Sequence, residues 1–356
     1  MKTRFYYSQL THPRAKELYD KILAAIKDRK TSAKVEMTNL KHEDGTRIIR
    51  AFEYDNPELF YVTFYGEDCG TVEYGNGDFE VRFRYLLSPE EEKKRIRDNQ
   101  AFIDYLISHL PESVKRSKYE TALWLHDTLI RNLTYDHEAC DVGSEKKPDA
   151  YTIMGGISEK TAVCAGISKL YQMLCEQEGI WCIYVSGESV ERTEDGKEET
   201  GERHAWNMIR LGKYYAYVDV TWDLKDDSDE RMLQHTYFGM SDIQCRQKHV
   251  AKGGEFDGCL PRCVEHNPLN YYIQRGAYIR SFRQLEQFVQ RMAQKKRRQF
   301  SFQMDPQGMD PQVLKERTQA WMGAWIRKYM KEDGNTSLSW TWWSNVDMMV
   351  FEYHVT

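Results

Sequence analysis

The sequence has no long hydrophobic run and no excess of charge of one sign. No apolar segment approaches the roughly 20 residues that a transmembrane helix needs, and the N-terminal stretch MKTRFYYSQL has no apolar core of a secretion signal. With 50 basic and 55 acidic residues, the net charge of −5 gives no sign of a nucleic-acid-binding surface. We therefore expect a soluble protein with no membrane or nucleic-acid partner, cytoplasmic unless a leader has been removed.

The sequence also lacks the motifs of several large enzyme classes. It contains no P-loop, no glycine fingerprint of a dinucleotide-binding fold and no HExxH zinc motif. Its eight cysteines are scattered along 356 residues without the spacing of a disulfide framework, so we expect reduced thiols. No cofactor is predicted.

One group of residue types that bind metals occurs late in the chain: Cys245, His249, Cys259, Cys263 and His266. Thiolates and imidazoles are ligands that Zn²⁺ prefers, but these separations match no common zinc finger or ribbon. Scattered loop thiols are the simpler interpretation. We predict no metal, and structural zinc stays open as the alternative.

The length predicts more than one compact unit. A strong helix start at Ser88, followed by Pro89 and by Glu91 as the partner in a capping box, marks a boundary. The chain changes character again after Asp257. We predict an N-terminal α+β accessory domain at 1–87, a central domain at 88–256 and a C-terminal α+β accessory domain at 257–356.

Hydrophobic periodicity and turn residues predict the elements within these units. Helices are expected at 13–30, 89–109, 118–131, 164–178, 281–292 and 311–330. Strands are expected at 48–52, 60–64, 70–74, 79–86, 180–186, 204–211, 213–221, 271–279 and 300–304, with a closing hairpin of 340–343 and 348–354.

Cys164 is placed where a loop of small residues leads into the predicted helix that ends before Gly179. Backbone N–H groups and the positive dipole end of a helix stabilise a thiolate, which is the nucleophilic form of cysteine. A buried structural cysteine beside Ala165 and Gly166 is the other interpretation of this position.

His204 and Asp219 lie on two predicted strands joined by a tight turn at Gly212. A turn at 211–212 places the two residues directly opposite each other, and a turn at 212–213 places them diagonally. In both registers the two side chains lie on the same face of the hairpin, because the partner of each residue shifts by two positions and alternate residues of a strand share a face. An imidazole beside a carboxylate is the base and its orienting partner in covalent catalysis.

Several motifs occur in the order and spacing of a known family. They are Tyr135–Asp136, the KTAV segment before Cys164–Ala165–Gly166, Gly179–Ile180, Val185–Gly187, His204–Asn207 and Tyr217–Asp223. Over about residues 115–250, this pattern resembles the bacterial transglutaminase-like superfamily. The resemblance implies an α+β, papain-like core with a central helix packed on an antiparallel sheet, and Cys164, His204 and Asp219 as a catalytic triad.

The resemblance further implies a cysteine protease, amidase or transglutaminase-like acyltransferase acting on a peptide or protein-like acyl substrate through a thioester. Many animal members carry Trp directly after the cysteine, and Ala165 stands there, which favours hydrolysis over cross-linking. Trp206 and Trp222 are candidate substrate contacts. The alternatives are an inactive module of this fold that binds peptide or cell-wall-like ligands, and a scaffold that uses its tryptophan-rich C-terminal hairpin.

Overall fold

A computed structural model describes residues 2–192, 198–224, 233–251, 256, 258–331 and 338–356. Helices and strands alternate irregularly along this part of the chain, so the fold is of the α+β class. Within the described residues, no helix is both long enough and apolar enough to cross a membrane.

The N-terminal region packs three helices beside a small antiparallel sheet. The helices are Phe5–Ser8 (α1), Pro13–Lys27 (α2) and His42–Asp55 (α3). The strands are Ser32–Val35 (β1), Val62–Thr63 (β2), Gly70–Glu73 (β3), Phe79–Arg82 (β4) and Arg84–Tyr85 (β5). The order β1-β4-β3 makes the main sheet, and β2 pairs with β5. The predicted 70–86 hairpin is confirmed.

The predicted strand at 48–52 is wrong, because these residues lie inside α3. Its apolar side chains are spaced so that Ile48, Ile49 and Phe52 lie on one helical face, and all three are buried. A short apolar run cannot by itself distinguish a buried strand from one side of a helix.

The central region begins with the predicted helix start. Ser88 caps Pro89–Ser108 (α4), and its capping box with Glu91 is formed. Further elements follow, namely Glu112–Lys115 (α5), Lys118–Asn132 (α6), Thr134–Tyr135 (β6), His137–Val142 (α7), Thr161–Ala162 (β7) and Cys164–Gln177 (α8). A 3₁₀ turn at Pro148–Tyr151 and a π turn at Gly155–Glu159 shape the loop before α8.

A five-stranded antiparallel sheet faces α8, in the order β11-β10-β9-β8-β12. Its strands are Trp181–Arg192 (β8), Glu198–Leu211 (β9), Tyr214–Val218 (β10), Phe238–Met240 (β11) and His249–Val250 (β12), and Asp242–Cys245 (α9) lies between the last two. Buried polar groups join the layers. Ser168 Oγ donates to Ala205 O at 3.0 Å, and Asn207 Nδ2 donates to Ser168 O at 3.0 Å. The expected helix-on-sheet core is confirmed.

The C-terminal region contains Tyr271–Gln274 (α10), Tyr278–Ile279 (β13), Phe282–Gln294 (α11), Gln299–Met304 (β14), Pro311–Tyr329 (α12), Trp340–Asn345 (β15) and Val350–Val355 (β16). The predicted closing hairpin is confirmed. The predicted strand at 271–279 is wrong over its first half, because Asn270 caps a short helix there. Trp342 is exposed, but Trp340 and Trp343 are half-buried against the core, which weakens the scaffold alternative.

The N-terminal region contacts the central one directly. Gln172 Nε2 of α8 donates to Tyr54 O at 3.1 Å, and the Tyr6 hydroxyl donates to Tyr184 O. The domain boundary after residue 87 stays a prediction. The second proposed boundary falls at residue 257, which lies outside the described residues.

Gly166 allows α8 to approach the preceding loop closely, and this contact gives a first prediction. A Cβ at this position would lie 2.4 Å from Ala150 O and 2.7 Å from Thr152 O, which are backbone atoms that cannot rotate away. We expect Gly166→Ala to lower the free energy of unfolding by about 1–3 kcal/mol in urea denaturation, despite its better helix propensity.

The matched control is Gly323→Ala in α12, where the nearest atom to an added Cβ is 3.4 Å away, on the Trp340 ring. Helix propensity should then raise stability by up to about 1 kcal/mol. Equal effects of the two substitutions would contradict the steric argument.

Candidate active site

The Cys164 side chain lies at the first residue of α8, as predicted. The preceding residue, Val163, is extended, with ψ 171°, and no side chain caps the helix. The first backbone N–H groups of α8 therefore have no side-chain acceptor, so they can interact with a thiolate or an oxyanion. The Cys164 side chain is 9% exposed and packs with Tyr184 and Ala205.

His204 and Asp219 meet across the β9–β10 hairpin. Val218 pairs with Asn207 and Tyr214 with Leu211, so the turn is at 212–213 and Asp219 lies diagonal to His204, the second of the two predicted registers. His204 Nε2 donates to Asp219 Oδ2 at 2.7 Å, and the Asp219 side chain is completely buried.

The Cys164 thiol lies close enough to the His204 ring to raise its pKa. Since Nε2 faces Asp219, Nδ1 is the ring nitrogen left for the sulfur. Burial alone would lower the pKa of His204, but the charge and hydrogen bond of Asp219, with a further contribution from Cys164, raise it to about 10. The structure thus brings the thiol close to an imidazole that is hydrogen bonded to a carboxylate.

A second histidine shares the same carboxylate. His249 Nε2, on β12, lies 2.8 Å from Asp219 Oδ2, and the backbone N–H of Trp222 donates to Asp219 Oδ1 at 3.2 Å. Burial would raise the pKa of Asp219, but the charge of His204 and the two imidazole hydrogen bonds hold it well below its usual range. Sequence reasoning missed this role of His249, because no local pattern connects it to a residue 30 positions earlier.

The two candidate substrate-contacting tryptophans flank the His204 ring. The Trp222 ring stacks on it with centroids 4.7 Å apart, and the Trp206 ring lies at 5.9 Å. Trp222 is partly exposed, but Trp206 is completely buried. Because Trp206 is completely buried, it has no surface to offer a substrate, and its predicted substrate contact is not supported.

Three tyrosines pack in the cluster that contains Cys164: Tyr54, Tyr135 and Tyr184. Tyr54 comes from α3 in the N-terminal region, and its ring centroid lies 4.8 Å from that of Tyr184. Burial raises the pKa of Tyr135, and a thiolate at Cys164 raises it further. The wall of the site is therefore aromatic and is built from two regions of the chain.

The zinc alternative proposed from Cys245, His249, Cys259, Cys263 and His266 is wrong. These five residues all lie in the described part of the chain, but no three of them bring their ligand atoms together. His249 is instead bonded to Asp219. Among the described residues, ligand atoms converge at two other groups, His204–Asp219–His249 and His126–Asp127–His235.

Comparison with known proteins finds a family to which the region of this site is similar. Residues 109–221 match the family model described as the transglutaminase-like superfamily. Kyphoscoliosis peptidase of Mus musculus is 29% identical over 103 residues, which are 28% of this chain, and the chain spans only 15% of the length of that relative.

Two solved structures show weaker likeness. A transglutaminase structure shares 14% identity, with coverage of 57% of this chain and 54% of that chain and a TM-score of 0.28. A candidate cysteine protease from Cytophaga hutchinsonii shares 14% identity, with coverage of 45% and 61% and a TM-score of 0.24. The family assignment rests on the sequence match, whose span includes Cys164, His204 and Asp219. Over residues 109–221, this chain is therefore similar to the transglutaminase-like superfamily.

Proposed function

We propose that this protein is a cysteine-dependent acyl hydrolase or acyltransferase that acts on peptide or isopeptide amides, with hydrolysis favoured over cross-linking. One observation carries the proposal. A thiol at a helix N-terminus lies beside an imidazole that is hydrogen bonded to a buried carboxylate. These are the nucleophile, the base and the orienting group of covalent acyl transfer.

In the proposed first step, the Cys164 thiolate attacks the acyl carbon. The carbonyl oxygen gains negative charge, and the backbone N–H of Cys164 is placed at the helix start to stabilise it. The His204 imidazolium gives its proton to the leaving nitrogen, the C–N bond breaks, and a thioester on Cys164 remains.

In the second step, His204 accepts a proton from the incoming nucleophile, which attacks the thioester and releases the Cys164 thiolate. Water as the nucleophile gives an acid, and a primary amine gives a new amide. Ala165 follows the nucleophile where the cross-linking relatives of the animal branch have tryptophan, and this favours water. Asp219 keeps the ring of His204 in one orientation through both steps.

The proposal is tested by the rate at which iodoacetamide labels each thiol, with the labelled residue identified by mass spectrometry. We expect Cys164 to react fastest and His204→Ala to slow its labelling, because the imidazolium that stabilises the thiolate is gone. Cys182 and Cys245 serve as internal controls, since burial raises the pKa of both thiols.

Uniformly slow labelling of all thiols would contradict the proposal and favour an inactive binding module. Hydrolysis and transfer are then separated by adding a primary amine during turnover of an activated ester. Formation of the amide at the expense of the acid would favour transfer.

A further inference from the structure

A second cluster of polar side chains is buried in the central region, and the proposed acyl transfer makes no use of it. His126 and Asp127 are neighbours on α6, and His235 comes from the segment before β11. One ligand atom of each residue converges there, and these atoms all lie within 4.8 Å of one another; Asp127 Oδ1 faces both His126 Nδ1 and His235 Nε2. The side chains of His126 and His235 are 0% and 9% exposed.

The spacing of these atoms suits a metal ion. Two nitrogen or oxygen ligands about 2.0–2.1 Å from a tetrahedral ion lie about 3.3 Å apart. Asp127 Oδ1 lies 3.3 Å from His126 Nδ1 and 2.8 Å from His235 Nε2. Small side-chain rotations would therefore bring all three atoms to coordination distance. The guanidinium of Arg131 lies 3.8 Å from Asp127 Oδ2, the other carboxylate oxygen. Oδ1 is therefore the oxygen that faces the two imidazole rings.

Further contacts hold the two imidazoles in place. His126 Nε2 lies 3.2 Å from Asp223 Oδ2, and Asp223 is completely buried and accepts the backbone N–H of Tyr237. The His235 ring stacks on Tyr271 with centroids 3.9 Å apart and planes 10° from parallel. A carboxylate on the outer nitrogen of a histidine is the usual support of a metal ligand, because it fixes the orientation of the ring.

We propose that His126, Asp127 and His235 bind a divalent transition-metal ion, with Asp223 as the outer support of His126. Two imidazoles and one carboxylate are a ligand set for such ions and leave coordination positions for water or another ligand. The ion would join α6 to the segment that carries His235. Through Asp223, it would also brace the turn that begins at Asp219, since Asp223 lies four residues further along the chain.

The proposal is tested on the full chain by removing metal with a chelator and titrating with Zn²⁺ in a calorimeter. We expect the wild type to bind one Zn²⁺ per chain. The affinity for Zn²⁺ should be at least about 100-fold lower in Asp127→Asn and in His235→Gln. Asp223→Asn should weaken binding by about 10- to 100-fold, the usual effect of losing an outer support. The matched control is His109→Gln, an exposed histidine on the surface, which should bind as the wild type does.

Co²⁺ distinguishes this site from the thiols, because ligands without sulfur give d–d absorption and no thiolate charge-transfer band. The wild-type chain should bind Co²⁺ with that signature both before and after its reactive thiols are alkylated. Wild-type protein that binds no metal, or binds it only through sulfur, overturns the proposal whether or not the variants fold. Equal affinity in the wild type, Asp127→Asn and His235→Gln overturns it as well, by showing binding elsewhere.

Discussion

Cys164→Ala is expected to reduce acyl transfer by about 10⁴-fold or more, the scale on which loss of the nucleophile acts in triad hydrolases. The reason is that Cys164 is the thiol that acts on the pKa of His204, whose ring is bonded to Asp219. The measurement is release of p-nitrophenol from p-nitrophenyl acetate, with the acyl-enzyme followed by intact mass.

The control for this prediction is Cys140→Ala, which removes an exposed thiol and leaves the three proposed catalytic groups in place. It should retain activity and the acyl-enzyme. Acylation that persists in Cys164→Ala, or that disappears in Cys140→Ala, would show that the nucleophile has been assigned to the wrong residue.

Asp219→Asn is expected to have the second large effect, slowing acylation by about 10²–10⁴-fold. Burial lowers the pKa of His204, and the Asp219 charge is the main cause that overcomes it. Asparagine has no charge, so the variant should lose the imidazolium at a lower pH than the wild type. The measurement is the pH profile of Cys164 alkylation, in which the variant should be slower at neutral pH.

The same substitution should change how stability depends on pH. The pKa of His204 is about 10 in the folded protein and 6.5 ordinarily, so protonated His204 contributes to the free energy of unfolding. This contribution is complete below pH 6.5 and is lost as the pH rises through about 10. The pKa of Asp219 is lowered in the folded protein, so its ionised carboxylate stabilises the fold above pH 3.8, its ordinary pKa. This contribution is lost as the pH falls further. The free energy of unfolding of the wild type should therefore exceed that of Asp219→Asn by the largest amount between pH 3.8 and 6.5.

Urea unfolding across this range is the measurement, with an expected difference of about 3–5 kcal/mol where it is largest, as when one partner of a buried pair is removed. Asp141→Asn, at an exposed carboxylate, is the control and should change stability by no more than about 0.5 kcal/mol. A difference between wild type and Asp219→Asn that is constant with pH would contradict the linkage of folding to His204.

Local signals were enough to predict the elements that carry the proposed triad. The apolar period after Cys164 and the glycine at 179 predicted α8, and Gly179 takes the positive φ of 65° that ends such a helix. Gly212 predicted the turn that brings His204 beside Asp219, and in the structure this glycine takes a φ of 60°. These features depend on residues close in the chain, where the conformation of the backbone limits the choices.

Local signals failed where tertiary packing decided the element. Residues 48–52 are apolar enough for a strand, but their burial against α2 and the β1-β4-β3 sheet selects a helix. The aromatic run at 271–279 has high strand propensity, yet the Asn270 side chain accepts from the Ile273 N–H and starts a helical turn. Strand propensity is a weak guide when capping and packing favour another conformation.

The sequence by itself determined the helix that begins at Cys164, the hairpin that carries His204 beside Asp219, and the similarity of residues 109–221 to the transglutaminase-like superfamily. Only the tertiary structure decided that sulfur and imidazole meet, that His249 shares the carboxylate, and that Trp206 is buried. It also brought His235 to Asp127, 108 positions earlier. The physical reason is that side chains far apart in the chain meet only through the packing of helices on a sheet, which no local pattern encodes.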